Sequence, residues 1–249
     1  MSAEPDSSHD LSRAQEFLKP IVFGGNDGIV TTFAIVAGFA GARAEGAAEL
    51  GVLAILVFGL ANLFADAVSM GLGEFLSGRS QRDLYHVQRA RALERIGGRD
   101  GTEQDVAAIL QERGLDAGDA REAATILART PGVVADLHMT YRVNMADPRS
   151  ARPAANGLFT FLSFVVFGVV PLAPYFFFAP TQLTFALSLA ATGAALVALG
   201  LLRWSATGDR MLRSVAETVL VGGICAIVAY MVGGLVATCG GEPPWRKPA

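Results

Sequence analysis

Five windows of about 20 or more mostly apolar residues dominate the chain and decide which folds are open to it. They span residues 20–42, 47–76, 157–178, 183–202 and 212–238. A helix needs about 20 such residues to cross the hydrocarbon core of a bilayer. Charged residues make up 17% of the chain, against about 25% in a typical soluble domain. We therefore predict an all-α, polytopic membrane protein with five transmembrane helices.

The second window is longer than a bilayer requires. Its thirty residues form a helix about 45 Å long, whereas the hydrocarbon core is about 30 Å thick. It leads into a segment, 79–152, that carries twelve arginines and eleven acids. Apolar residues recur there at helical spacing, which predicts helices over 102–113, 117–129 and 131–145. We expect a small cytoplasmic helical domain between the second and third spans.

The basic residues predict the orientation in the membrane. With five spans, seventeen lysines and arginines fall on the side of the N-terminus and three on the other. Because basic loops stay inside, the N-terminus is predicted to be cytoplasmic and the C-terminus outside or lumenal. Eighteen arginines against two lysines suggest a GC-rich bacterial genome, and hence the plasma membrane. The predicted segments are 1–19 (cytoplasmic N-terminus), 20–78 (first two spans), 79–152 (helical domain), 153–238 (last three spans) and 239–249 (C-terminal tail).

Two carboxylates lie inside these apolar windows, Asp27 in the first and Asp66 in the second. A charged side chain at the centre of a membrane helix costs about 2.5–3.5 kcal/mol on insertion scales, so such residues are usually functional. Asp66 belongs to a row with Asn62, Met70 and Glu74, spaced four residues apart on one helical face. Carboxylate oxygens suit Mn²⁺ and Fe²⁺, and a thioether disfavours Mg²⁺ and Ca²⁺. The pattern predicts a path for a divalent cation.

Three of these residues have simpler interpretations. Met70 is a common packing residue, and Glu74 is near enough to Arg79 to be an interfacial charge. Asp27 follows Gly-Gly-Asn and is placed to cap a break in the first helix. Asp66 has no such alternative, because its nearest basic residue in sequence is more than three helical turns away.

Other patterns in the sequence limit the remaining functions. Glu217 in the fifth window has Arg210 and Arg213 within two turns, which favours an interfacial ion pair. The chain has no His-Glu-x-x-His or Gly-x-Ser-x-Gly motif, so we predict no enzyme. No basic groove with interleaved aromatic residues is present, so we predict no nucleic-acid partner.

Three runs of the chain resemble the vacuolar iron transporter family, which includes nodulin-like proteins and iron/manganese exporters. The first is FGGNDGIVTTF at 23–33, followed by VAG at 36–38, and the second is ANLFADAVSMGLGEFLS at 61–77. The third comprises NG at 156–157, FLSF at 161–164 and PL at 171–172. The resemblance extends from about residue 16 to residue 238.

The resemblance implies a five-span homodimer with its ion path at the dimer interface. It also implies that Fe²⁺ or Mn²⁺ leaves the cytoplasm in exchange for protons, with no tightly bound cofactor. By this resemblance Asp27 and Met70 are path residues. Asp66 and Glu74 match a bacterial variant of the second span, with Asn62 where some relatives have a glutamate.

The cytoplasmic domain departs from the family pattern. Relatives bind metal there through Glu-x-x-Glu pairs on two helices and a third helix that carries methionine and glutamate. Here Gly97 and Ala108 stand where the second acid of each pair is expected, and Arg142 replaces a glutamate. An arginine cannot ligate a cation. The candidate ligands that remain are Glu94, Asp105, His138 and Met139. The domain is thus expected either to bind one ion weakly or only to hold the dimer together.

The function predicted from these observations is export of divalent iron or manganese by proton antiport. The alternatives are a cation channel, since carboxylate-lined pores also conduct cations, and a membrane scaffold or regulatory protein that has lost transport. Proton dependence of the metal flux distinguishes the antiporter from the channel.

Overall fold

The computed structural model describes residues 7–41, 48–96, 102–148, 152–208 and 210–239. In these ranges all regular secondary structure is helical. Five helical segments are long and apolar enough to cross a membrane: Phe17–Gly41, Gly51–Ile96, Pro153–Phe177, Gln182–Ser205 and Met211–Val236. The predicted all-α fold with five spanning helices is therefore confirmed.

The helices form two compact units. Residues up to Glu74 and from Ala154 onward make the first, here called the membrane unit, and Phe75–Pro153 make the second, the helical unit. The helices are α1 (Ser7–Gly41), α2 (Ala48–Ile96), α3 (Thr102–Glu112), α4 (Ala117–Leu127), α5 (Pro131–Tyr141), α6 (Pro153–Gly168), α7 (Ala173–Phe177), α8 (Gln182–Thr207) and α9 (Met211–Cys239). With 49 residues, α2 is about 73 Å long, which confirms that it is longer than a bilayer requires.

The first helix is continuous through the Gly-Gly-Asn-Asp sequence. Asp27 lies well inside α1, so the interpretation of Asp27 as the cap of a helix break is wrong. Glycine is a poor helix former in isolation. Here Gly24 and Gly25 are buried, at positions where an added Cβ would meet Thr160 and Phe167 of α6. Packing against α6 thus keeps this glycine-rich turn helical.

The third apolar window is not one continuous helix. α6 ends at Gly168, a 3₁₀ turn covers Val170–Leu172, and α7 follows. Pro171 cannot donate the backbone hydrogen bond that would continue α6. The carbonyl oxygen of Pro171 accepts a hydrogen bond of 2.6 Å from the buried Ser188 hydroxyl on α8. A side chain of a neighbouring helix thus stabilises the break.

Glycines allow α1 and α9 of the membrane unit to approach closely. A Cβ added to Gly233 of α9 would lie 2.2 Å from the carbonyl oxygen of Gly38, and one added to Gly41 would lie 2.3 Å from that of Tyr230. Between α8 and α9, the Ser214 hydroxyl donates to the carbonyl oxygen of Gly200 at 3.1 Å. Backbone-to-backbone approach of this kind is typical of helix packing in membranes.

The helical unit has its own small apolar core. Val106 and Ala107 of α3, Ala124 of α4 and Val134 of α5 are its buried members. The observed helices begin where predicted and end earlier, α3 by one residue, α4 by two and α5 by four. Asn144, three residues beyond α5, has a left-handed φ of 58°, so the helix could not continue to 145.

Candidate functional site

Three helices of the membrane unit meet beside Asp27. A Cβ added to Gly28 would lie 2.4 Å from the carbonyl oxygen of Phe164 on α6. One added to Gly168 would lie 2.9 Å from the carbonyl oxygen of Gly28 and 2.4 Å from Cδ1 of Leu63 on α2. These glycines permit contacts that any side chain would prevent. α1, α6 and α2 therefore come together at Gly28, the residue that follows Asp27.

The two intramembrane carboxylates interact across this crossing. Asp27 and Asp66 are both half-buried and close enough for their negative charges to repel. The Asn62 side chain donates a 2.7 Å hydrogen bond from Nδ2 to Oδ2 of Asp66. Among the described residues neither carboxylate forms an ion pair with a basic side chain. A shared cation or a bound proton would relieve the repulsion.

The geometry distinguishes Asn62 from the other members of the α2 row. Hydrogen bonding through Nδ2 leaves the Asn62 amide oxygen and the second carboxylate oxygen of Asp66 able to bind a cation. Met70 is half-buried and packs against Leu63, Ala67 and Phe164. Its thioether therefore lies next to apolar side chains of α2 and α6.

Glu74 is the last residue of the membrane unit along α2 and is half-buried. It lies two turns beyond Asp66 on a helix without interruption. The structure thus joins Asn62 to Asp66 directly, places Asp27 within electrostatic range, and places Met70 and Glu74 further along the same helix.

Three buried acceptors in the membrane unit were not singled out in the sequence. In the part of the chain that the structure describes, no hydrogen-bond partner reaches Oδ1 of Asn26, Oγ1 of Thr32 or Oδ1 of Asn156. Buried polar atoms are usually paired, so such exceptions often mark functional positions. The sequence could have pointed to these three residues, because they lie within the motifs at 23–33 and 156–157.

The candidate ligands of the helical unit are not gathered at one point. Asp105 is exposed and His138 half-buried, and both line a cavity of about 260 Å³ together with Arg95. Glu94 is exposed and does not line that cavity. Met139 is fully buried. The cavity thus offers a divalent cation two of the four ligands, beside a positive guanidinium.

Arg142 has a structural role in this unit. It donates from Nη1 to both carboxylate oxygens of Glu112, at 2.9 and 3.1 Å, and so ties α5 to α3. Arg113 of the same region lies over the Tyr141 ring, 4.2 Å from its centroid. Among the described residues no three His, Cys, Asp or Glu side chains are close enough to hold a metal. The donor set of this unit does not fit a multi-metal cluster.

Substitutions of the candidate ligands in this unit should have small effects on transport. We expect Glu94→Ala or His138→Ala to lower the initial rate of metal uptake into proteoliposomes by less than about tenfold, the low end of what secondary metal contacts contribute. The exposed Glu122 of α4 provides a control variant, Glu122→Ala, which should leave the rate unchanged. A loss as large as that caused by an intramembrane carboxylate variant would contradict this expectation.

Comparison with known proteins identifies the family. The family model described as "VIT family" matches residues 18–234. Vacuolar iron transporter 2 of Oryza sativa subsp. japonica is 32% identical over 218 residues, covering 87% of this chain and 86% of that protein. The vacuolar iron transporter of Plasmodium falciparum is 30% identical over 236 residues, covering 91% and 84%. With five apolar helices of spanning length, the chain is an integral membrane protein that belongs to the VIT family.

Proposed function

We propose that the protein transports divalent iron or manganese out of the cytoplasm in exchange for protons. The observation that carries this proposal is the close crossing of the helices that bear Asp27 and Asp66, through contacts at Gly28, Gly168 and Leu63, inside apolar spans. Asn62 supports the pair by its hydrogen bond to Asp66. The relatives named vacuolar iron transporters favour Fe²⁺ as one substrate, and carboxylate oxygens suit both Fe²⁺ and Mn²⁺.

Proton exchange follows from the chemistry of this pair. Two like charges in a low-dielectric site repel strongly, and either a cation or a proton neutralises them. When the divalent cation leaves, two protons, one on each carboxylate, restore a neutral site. Metal and proton therefore compete for the same oxygens, which is the requirement for antiport.

We further propose that the path lies at the interface of a homodimer. Among the described residues one chain does not bring three acidic, His or Cys side chains together, whereas divalent cations in oxygen sites usually take about six ligands. Beside Asn62 and Asp66 on α2, Phe58 is 61% exposed, and Ala65 and Ser69 are exposed as well. A second copy packed on this face would supply further oxygens to the same ion.

The proposed orientation places the N-terminus in the cytoplasm, as the distribution of basic residues predicts. In a bacterial cell the membrane would be the plasma membrane. Metal then enters the path from the side on which α1 begins, and protons enter from the opposite side.

The test is metal uptake into proteoliposomes that contain the purified full-length protein. Mn²⁺ is added outside, and its entry is followed with a fluorescent indicator inside at several lumenal pH values. We expect the uptake rate to rise as the lumen is made more acidic, and the lumenal pH to rise when metal is added. Both changes follow from exchange of one ion for the other.

The other outcomes favour the alternative functions. Flux that does not depend on the pH gradient would identify a channel. No flux of Mn²⁺ or Fe²⁺ through a folded, reconstituted protein would favour a scaffold that has lost transport. Vesicles without protein provide the leak rate in each condition.

A further inference from the structure

A groove of about 640 Å³ lies between α1, α8 and α9 of the membrane unit. Its lining changes character along its length. Its charged side chains are Lys19, Arg203 and Glu217, and its apolar ones include Val22, Phe23 and Val221. The groove therefore combines a charged part with an apolar part.

The order of these residues along the helices matches the depth of a bilayer. Lys19, Arg203 and Glu217 lie near the ends of the spanning segments Phe17–Gly41, Gln182–Ser205 and Met211–Val236. Phe23 and Val221 lie four residues further into their spans, about 6 Å along each axis. The charged part is thus at the membrane surface and the apolar part faces the hydrocarbon.

The charged part carries net positive charge. Glu217 accepts from Arg203 on α8 at 3.0 Å and from Arg213 at 2.9 Å. The expected ion pair with Arg213 is thereby confirmed, and Arg203 is a partner that the sequence did not predict. One carboxylate faces two guanidiniums, and the exposed Lys19 adds a third positive charge at the rim.

The basic groups retain donors for a ligand. Arg203 has five N–H donors, of which the ion pair with Glu217 uses Nη2. In the described part of the chain Lys19 forms no ion pair. Basic pockets between membrane helices bind anionic lipid headgroups.

The apolar part is open to the lipid. Phe23 is 61% exposed and Val221 is 48% exposed, so both present apolar surface alongside the charged part. We propose that this groove is a binding site for an anionic phospholipid. The phosphate contacts Lys19 and Arg203, and the first part of an acyl chain lies against Phe23 and Val221. This proposal does not depend on the direction of metal transport.

The test uses the full-length protein in a mild detergent with added phosphatidylglycerol. Native mass spectrometry measures retained lipid, and thermal unfolding measures stabilisation. We expect Lys19→Gln/Arg203→Gln to weaken phosphatidylglycerol binding by at least about tenfold. Val221→Trp should weaken it as well with every charge in place, because the indole fills the apolar part.

Matched controls separate this site from general attraction between charges. Arg152→Gln removes an exposed arginine that does not line the groove and should leave binding unchanged. The single variant Lys19→Gln leaves the Glu217 ion pairs intact. It should also bind phosphatidylglycerol more weakly than the wild type, and this tests the site even if the double variant unfolds. Phosphatidylcholine should bind and stabilise less than phosphatidylglycerol.

Three results would overturn the proposal. The first is equal retention of phosphatidylcholine and phosphatidylglycerol. The second is stabilisation by inorganic phosphate equal to that by the lipid, which would indicate an anion site without a chain. The third is a Val221→Trp variant that keeps its lipid but loses its dimer in light scattering, which would mean that a second copy occupies the groove.

Discussion

Replacing Asp66 with asparagine should abolish metal transport while leaving the protein folded. The new amide has nearly the same size, and its carbonyl oxygen can still accept the hydrogen bond from Asn62 that Asp66 accepts at 2.7 Å. The negative charge is lost, and with it both the attraction for a divalent cation and the group that exchanges a proton. Since loss of a secondary contact costs about 10–100-fold, loss of a ligand should lower the rate by more than about 100-fold.

The measurement is initial Mn²⁺ uptake into proteoliposomes, with thermal unfolding and size-exclusion chromatography as checks of folding. Asp27→Asn should behave like Asp66→Asn, because in the proposed mechanism the two carboxylates bind one ion. Asn62→Ala removes the donor to Asp66 and should cause an intermediate loss, about 10–100-fold.

Asp83→Asn is the matched control on the same helix. Asp83 is exposed and pairs weakly with Arg79 at 3.9 Å, so its loss should leave uptake unchanged. Full uptake by a folded Asp66→Asn variant would exclude Asp66 from the path and with it the proposed mechanism.

The spans were predictable because membrane insertion depends on local composition. A helix of about 20 apolar residues must satisfy its own backbone hydrogen bonds in lipid, whichever neighbours it has. The borders of α3, α4 and α5 were also close to prediction. These borders depend on turn residues such as Gly114, which has a φ of 101°. Such residues end a helix locally, whatever the rest of the chain does.

The continuity of α1 and the break after α6 were not predictable in the same way. Whether Gly24 and Gly25 break a helix depends on α6, more than 130 residues later in the chain. The break at Pro171 is stabilised by Ser188 of another helix. Both outcomes depend on contacts that no local pattern encodes.

The candidate site could be proposed in part from the sequence. Asp27 and Asp66 were proposed from the cost of a carboxylate in a membrane, and Asn62 from its four-residue spacing to Asp66. The hydrogen bond between Asn62 and Asp66 is local to one helix and follows from that spacing. By contrast, the ion pair between Arg142 and Glu112 joins residues thirty positions apart, and only the packing of α3 on α5 shows it.

Gly28→Ala should both destabilise the protein and abolish transport. The added Cβ would lie 2.4 Å from the carbonyl oxygen of Phe164, a backbone atom that cannot rotate away. Overpacking in a tight interface costs about 1–3 kcal/mol, more than the roughly 1 kcal/mol that alanine gains over glycine in helix propensity. α1 must therefore move away from α6.

The expected loss of transport follows from where this contact lies. Gly28 also contacts Gly168, which packs against Leu63 of α2, so a shift of α1 separates Asp27 from Asp66.

Gly193→Ala is the control, because a Cβ at Gly193 of α8 meets nothing within 4 Å, and it should be neutral or slightly stabilising. Thermal unfolding in detergent and Mn²⁺ uptake measure the two effects. If Gly28→Ala were as stable and as active as the Gly193→Ala control, the close crossing of α1 and α6 would not be what positions the two carboxylates.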